Sequence, residues 1–320
     1  VTLFERQRYA AMETSFANGG QLSASNAEVW NHWSTVWKGM KWMLRSDAPL
    51  LVNPKPSWHK LSWFAEFVAH IGSYRDNTIE TTRLAIAARK HLFSWAQAER
   101  IDFDLKREGI LHIYRDKAGF DHAAHVSKLL AEGGLPRRAV TPEEMRAIEP
   151  TLAGNYYGGF YTESDSTGDI HKFTHGLAAA AARLGVRILY GQQVTGLESD
   201  GTLASVTVTS APGASAEKVG HHFDGLVVCA GVASRDFAAQ LGDRVNVYPV
   251  KGYSITVNLL DAASQAGAPS VSLLDDETKL VTSRLGVDRF RVAGTAEFNG
   301  ANRDIRADPI RPLVEWVNQC

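Results

Sequence analysis

Cysteine is scarce in this chain: Cys229 and Cys320 are the only two in 320 residues, too few and too far apart for a disulfide framework. No apolar run approaches the roughly 18 residues that a membrane-spanning helix needs. Neither sign of charge is in excess, since 34 Lys and Arg stand against 35 Asp and Glu for a formal net charge of -1. That excludes the basic field nucleic-acid binding requires, and no nucleic-acid partner is expected. No secretory signal pattern opens the sequence, which with the low cysteine count predicts a reducing, cytoplasmic setting. No Ser-His-Asp or Cys-His arrangement marks a catalytic nucleophile. What is present is globular material, 44% hydrophobic and 22% charged, long enough to divide into two lobes.

The first informative stretch is Val1-Thr2-Leu3-Phe4-Glu5, an apolar strand ending in a carboxylate, followed by the polar, Gly-rich run Thr14 to Gln21. Two readings stay open: a surface strand that happens to end in Glu, or the second strand of a dinucleotide-binding unit whose terminal acid accepts hydrogen bonds from a ribose. In the second reading the Gly-rich phosphate turn lies roughly 20 residues before the acid. It is therefore expected upstream of Val1.

Helical spacing follows in Ala27 to Arg45, where Trp30, Trp33, Trp37, Met40 and Leu44 form one stripe. Seven of the eight tryptophans lie in the first hundred residues, beside Lys38, Lys41, Arg45 and Lys60. This composition suits a core or lobe-lobe contact, and it also suits an interfacial helix against a membrane. A second helix is expected after Pro54 and Pro56, and a long one over Asn77 to Ile101. Gly109 to Tyr114 alternates like a strand, Gly119 to Glu132 reads as a helix, and Thr141-Pro142-Glu143-Glu144 is a capping box with Pro at the first helical position.

Tyr156 to Thr162 reads as an aromatic strand, and Asp169 as the cap of an alanine-rich helix ended by Gly185. Val186 to Tyr190 and Val194 to Glu198 are short strands. Leu203 to Thr209 is expected to pair with a strand near His222 across a turn at Gly213 and Ser215. Gly225-Leu226-Val227-Val228-Cys229-Ala230-Gly231 is predicted to be a buried parallel strand, with Cys229 as an inert buried thiol. Pro312 to Gln319 reads as a helix. His171 and His175 share a helix face, but no third ligand accompanies them, and no metal is expected. Asp275-Asp276-Glu277 reads as a solvated turn.

Four runs in one order carry a family resemblance: Phe4-Glu5-Arg6 with Glu13-Thr14-Ser15-Phe16-Ala17-Asn18-Gly19-Gly20-Gln21; Val227-Val228-Cys229-Ala230-Gly231; Tyr248-Pro249-Val250-Lys251-Gly252-Tyr253-Ser254; and Arg291-Val292-Ala293-Gly294-Thr295-Ala296-Glu297. Together they resemble the D-amino-acid dehydrogenase small subunit, within the flavin-dependent D-amino-acid oxidase and glycine oxidase group. The resemblance implies an α/β fold: a Rossmann-like FAD-binding domain (1–27 and 155–245) and a substrate domain on a mixed or antiparallel sheet with helices (28–154 and 246–320). Both the N-terminal Gly-rich turn and a C-terminal segment with an Arg-Pro run would lie outside the sequence, so a truncated FAD domain is expected.

The same resemblance implies that FAD is the cofactor. Glu5 would bind the adenosine ribose, with Arg6 also at the cofactor, Thr14 and Ser15 at the pyrophosphate, and Asn18, Gly19, Gly20 and Gln21 along the flavin. Val194 would bracket the adenine, and Ala230 and Gly231 would pass the cofactor again. Lys251, Gly252 and Tyr253 would line the substrate side, although Tyr253 equally suits a sheet-filling role. The implied reaction is oxidative deamination of a small D-amino acid to a 2-keto acid and ammonia, with electrons passed to a quinone or other respiratory acceptor. Peripheral contact with the inner face of the plasma membrane and self-association are further expectations. The alternatives are oxidation of another small amine or 2-hydroxy acid, or a non-catalytic fragment. No side chain is singled out as catalytic.

Overall fold

The computed structural model describes residues 1–42, 49–210 and 218–318. Leu44, Arg45, the expected turn at Gly213 and Ser215, Gln319 and Cys320 lie outside the described residues. In chain order the first part runs β1 (Thr2–Glu5), β2 (Gln21–Leu22), α1 (Trp33–Trp42), β3 (Leu50–Val52), α2 (Trp58–Ala69), α3 (Tyr74–Ala98), β4 (Ile110–Tyr114), α4 (Lys117–Glu132), β5 (Arg138–Val140), α5 (Pro142–Ile148) and β6 (Gly158–Thr162). Then come β7 (Ser166–Thr167), α6 (Ile170–Arg183), β8 (Arg187–Tyr190), β9 (Gln192–Ser199), β10 (Ala204–Ser210), β11 (Lys218–Phe223) and α7 (Ser234–Gln240). The chain closes with β12 (Lys251–Asn258), α8 (Ala262–Gly267), β13 (Ser272–Asp275), β14 (Leu280–Leu285), β15 (Arg289–Phe298) and α9 (Ala307–Val317).

The centre is a mixed eight-stranded sheet in the order β12-β15-β14-β13-β4-β6-β5, with β3 also paired to β15. Its interior strands are buried along their length: β4 and β13 expose no residue, because each has a partner on both edges and cover on both faces. One face carries the main core, where Leu111, Ile113, Tyr253, Leu273, Phe290 and Val292 pack under Leu313 and Trp316 of α9. Helix caps fall where the sequence places them. Thr141 and Glu144 form the reciprocal capping box of α5, and Asp169 accepts from the Lys172 amide at the start of α6.

A smaller region is built differently. Strand β1 pairs in parallel with β8 alone, and β9, β10 and β11 form an antiparallel meander beside them. Phe4 packs with Val194, Leu197, Val206, Val208, Leu226 and Val228 in a satellite core. The β10–β11 pairing expected from the sequence is present.

Several expectations are corrected. Gly225 to Gly231 is not a strand: among the described residues no strand pairs with it, and a segment without a hydrogen-bonded neighbour has no ladder to join. Leu226 and Val228 pack inward, while Val227 is 84% exposed and Cys229 is an exposed free thiol. Helix α1 begins at Trp33 rather than Ala27, since the residues before it are tied down separately, with the Asn31 amide donating to Phe67 O. Lys60 belongs to no basic surface, because its ammonium is buried and donates to the carbonyls of Asn53 and Lys55. Asp275 is buried, accepting from Arg115 and the Trp316 indole, so the acidic turn is solvated only beyond it.

Candidate functional site

The Gly-rich run lies as a strap across the face of the large sheet opposite α9, and it meets four adjacent strands in their spatial order. Ser254 of β12 donates to Ala17 O at 2.6 Å, and Arg291 of β15 donates to Asn18 O at 3.0 Å. Ser283 of β14 donates to Gly19 O at 2.5 Å, while the Gln21 amide donates to Ser272 Oγ (2.7 Å) and Leu273 O (3.1 Å) of β13. The Gly168 amide also donates to Gly20 O. Glycine is needed at two of these positions. A Cβ on Gly19 would stand 2.7 Å from Val281 Cγ2, and Gly20 has φ +67°, where L side chains are strained. Asn18 Oδ1 accepts from the Gly20 amide and fixes the turn.

The other residues expected on the nucleotide side fall around the smaller region. Glu5 closes β1 and accepts from the Gln7 amide through Oε1 at 2.8 Å. Arg6 pairs with Glu13 at 2.5 Å; burial raises that carboxyl, but Arg6 and Gln7 outweigh it and hold Glu13 below the usual range. Thr14 and Ser15 sit in a single helical turn with Thr14 exposed. Val194 packs in the satellite core beside Phe4, one residue from Glu5. Ala230 and Gly231 are exposed at the start of the turn before α7, where Ser234 Oγ accepts from the Ala230 amide.

Lys251, Gly252 and Tyr253 begin β12, next to the strand residue that anchors the strap. Tyr253 is buried and donates to Glu297 Oε2 at 2.6 Å. Lys251 binds the same carboxylate at 3.0 Å and also donates to Asn302 and to Asp304 O. Arg306 supplies a third bond to Glu297 at 3.0 Å. Burial raises the Glu297 carboxyl, yet Tyr253, Lys251 and Arg306 together hold it below its usual range. The Lys251 and Tyr253 polar groups are thus committed to this knot.

A second buried network goes unread in the sequence. Ser25 bonds His112 Nε2 at 2.8 Å, and Asp165, fully buried, accepts from the Ala24 and Ser25 amides and from Arg89. The carboxylate holds the serine backbone rather than the imidazole, so the three residues are no catalytic triad. Burial holds His112 well below the usual imidazole range, hence neutral at pH 7. The network pins the chain immediately after the strap; only a Ser among Ala and Asn marks it in sequence. His171 and His175 stack edgewise with Tyr9, and no group able to hold a metal occurs among the described residues.

These residues fit an FAD. A carboxylate closes the first strand, two hydroxyls follow, and a Gly-rich main chain that tolerates no Cβ is pressed against the sheet. The comparisons agree. The model of the family described as DAO, FAD dependent oxidoreductase, matches residues 1–320. The D-amino acid dehydrogenase 3 of Mesorhizobium japonicum is 65% identical over 317 residues, covering 99% of this chain and 76% of that protein. The D-amino acid dehydrogenase of Paramagnetospirillum magneticum is 41% identical, covering 97% and 72%. In fold, glycine oxidase from Geobacillus kaustophilus superimposes with a TM-score of 0.70 at 17% identity, over all of this chain and 70% of that one. The L-alpha-glycerophosphate oxidase of Mycoplasma pneumoniae, a structure with FAD bound, gives 0.67 at 16% identity, over 100% and 71%.

Proposed function

The chain belongs to the DAO family of FAD-dependent oxidoreductases, and from that premise we propose that it oxidises D-amino acids to 2-keto acids and ammonia. The observation that carries the substrate class is the identity to the Mesorhizobium D-amino acid dehydrogenase along nearly the whole chain. When bound, FAD supplies the oxidant that takes the Cα hydrogen with its electron pair, leaving an imine that water hydrolyses. The chain's own residues would do the holding. Glu5 would serve the ribose with Arg6 also at the cofactor, Thr14 and Ser15 the pyrophosphate and Val194 the adenine, while Ala230 and Gly231 would pass the cofactor again. Asn18 to Gln21 would hold the flavin against the sheet, and the strand opened by Lys251, Gly252 and Tyr253 would wall the substrate side. Because the cofactor carries the redox step, the protein's task is orientation and exclusion of water, which suits a rigid sheet face better than a nucleophile.

The test is product formation with an artificial electron acceptor. A keto acid and ammonia in equal amounts from D-alanine, and none from L-alanine, are expected. Turnover of glycine or a 2-hydroxy acid alone would shift the reading to a sibling oxidoreductase, and no turnover of any of these with FAD bound would favour a non-catalytic chain.

For the acceptor, we infer a quinone reached by peripheral docking on the inner face of the plasma membrane. No helix among the described residues is long and apolar enough to cross a membrane. What favours docking is exposure: Trp30, Trp33, Trp37 and Trp58 are 55, 53, 67 and 83% exposed, and Lys38 and Lys41 share α1 with Trp33 and Trp37. Co-sedimentation with anionic vesicles checks it; binding unchanged in the W33S/W37S double variant removes it.

A further inference from the structure

Arg291, like Lys60, is a buried cation held by a main-chain carbonyl rather than by a carboxylate, but the carbonyl it holds belongs to the strap. It is 8% exposed, its Nε donates to Thr256 Oγ1 at 2.8 Å, and its Nη1 donates to Asn18 O at 3.0 Å. Among the described residues no carboxylate lies within ion-pair distance of it. The nearest acid that influences it, Asp169, is already bound by Arg289 at 2.9 Å, two residues earlier on the same face of β15. Burial accordingly pulls its affinity for the proton down, though arginine stays charged at any ordinary pH.

A guanidinium kept in the interior without an ion-pair partner is costly, and an apolar side chain would serve stability at least as well. What the cation gains is a charge-assisted bond to a main-chain carbonyl of the strap, stronger than a neutral donor makes. Thr256 on the neighbouring strand aims it. The contact lies between the Ser254 bond to Ala17 and the Ser283 bond to Gly19, so it sits at the middle of the ladder that carries the strap.

We propose that Arg291 is a positioning residue for the cofactor: by holding Asn18 O it sets where the Asn18–Gln21 main chain stands relative to the flavin, and so couples FAD binding to the substrate-side sheet. This rests on the assignment of the strap to the flavin. Thr256 acts through Arg291, and Ser254 and Ser283 fix the strap on either side.

The experiment is FAD affinity by fluorescence quenching, the fine structure of the bound flavin's visible band, and the thermal midpoint of FAD-free protein, for the wild type, R291M and R291K. R291M is expected to weaken FAD binding about tenfold and blur the visible band at an unchanged FAD-free midpoint, while R291K, which keeps a charged donor, stays within about threefold of the wild type. T256V provides a milder variant if R291M fails to fold, with an expected loss of about threefold. Wild-type affinity in folded R291M or T256V overturns the assignment alone. Equal losses in R291M and R291K together with a lowered midpoint also overturn it, in favour of a purely structural role. A wild-type chain that takes up no FAD overturns the cofactor reading and this inference with it.

Discussion

Leu111 of β4 and Leu3 of β1 are the same residue type on a strand, yet Leu111 is fully buried along with the rest of β4 whereas Leu3 is 44% exposed. The difference is partnership. Strand β4 lies between β13 and β6 in an eight-stranded sheet, while β1 has β8 on one side only, and the Gly225 to Gly231 run near it joins no sheet. Apolar composition thus marks a segment that would make a good strand, but neighbours on both edges turn it into core. The functional consequence is a division of labour. The large sheet is the rigid platform, and the Gly-rich strap borrows that rigidity through four successive anchors, whereas the smaller region presents Glu5, Val194 and Gly231 on a much thinner support.

The comparison breaks most readily in the platform. Phe290→Ala, at a 2% exposed position of β15, is expected to cost about 3–5 kcal/mol in urea unfolding; a cost under about 1 kcal/mol would mean the sheet is not the stability centre. Next comes Glu297→Gln, which leaves Lys251 and Arg306 without their carboxylate and is expected to cost about 3 kcal/mol at neutral pH. Because the folded Glu297 pKa is depressed, its contribution is present above the ordinary glutamate range and is lost as pH falls through the depressed value. The variant's stability should therefore vary less with pH on the acid side, and an unchanged acid limb would contradict the knot.

Smaller effects probe the strap and the thin region. Gly19→Ala forces a Cβ toward Val281 and is expected to cost about 1–3 kcal/mol while weakening FAD uptake, read by thermal shift with and without the cofactor. Val227→Ala, in the exposed run, should move stability by no more than about 0.5 kcal/mol. A loss several times larger at Val227 would show that this run is packed after all.

Much of the platform was legible in sequence. The capping box at Thr141, the Asp169 cap and the strands ending at Tyr114 and Thr162 are local signals written within a few residues of where they act. Glu5 was legible as the acid closing a strand, whereas the close packing of Gly19 against Val281 of the sheet was not, since the sequence suggested only an approach to a flavin. Nor were the strap's anchors, because Ser254, Ser283 and Arg291 contact the strap across more than 230 residues of sequence. On a strand each reads only as a polar residue in alternation. Lys60 and Asp275 were misplaced for the same reason: a charged side chain looks solvent-facing until the carbonyls and donors that bury it are known. The Gly225 to Gly231 run shows the converse, since seven apolar and small residues cannot declare whether a neighbouring strand is present.

The most direct measurement is the visible spectrum of the FAD-loaded protein titrated without oxygen. If the protein oxidises D-amino acids, D-alanine bleaches the oxidised flavin band to completion and L-alanine leaves it unchanged. A bound flavin that neither alanine enantiomer nor any other D-amino acid reduces would contradict that reading.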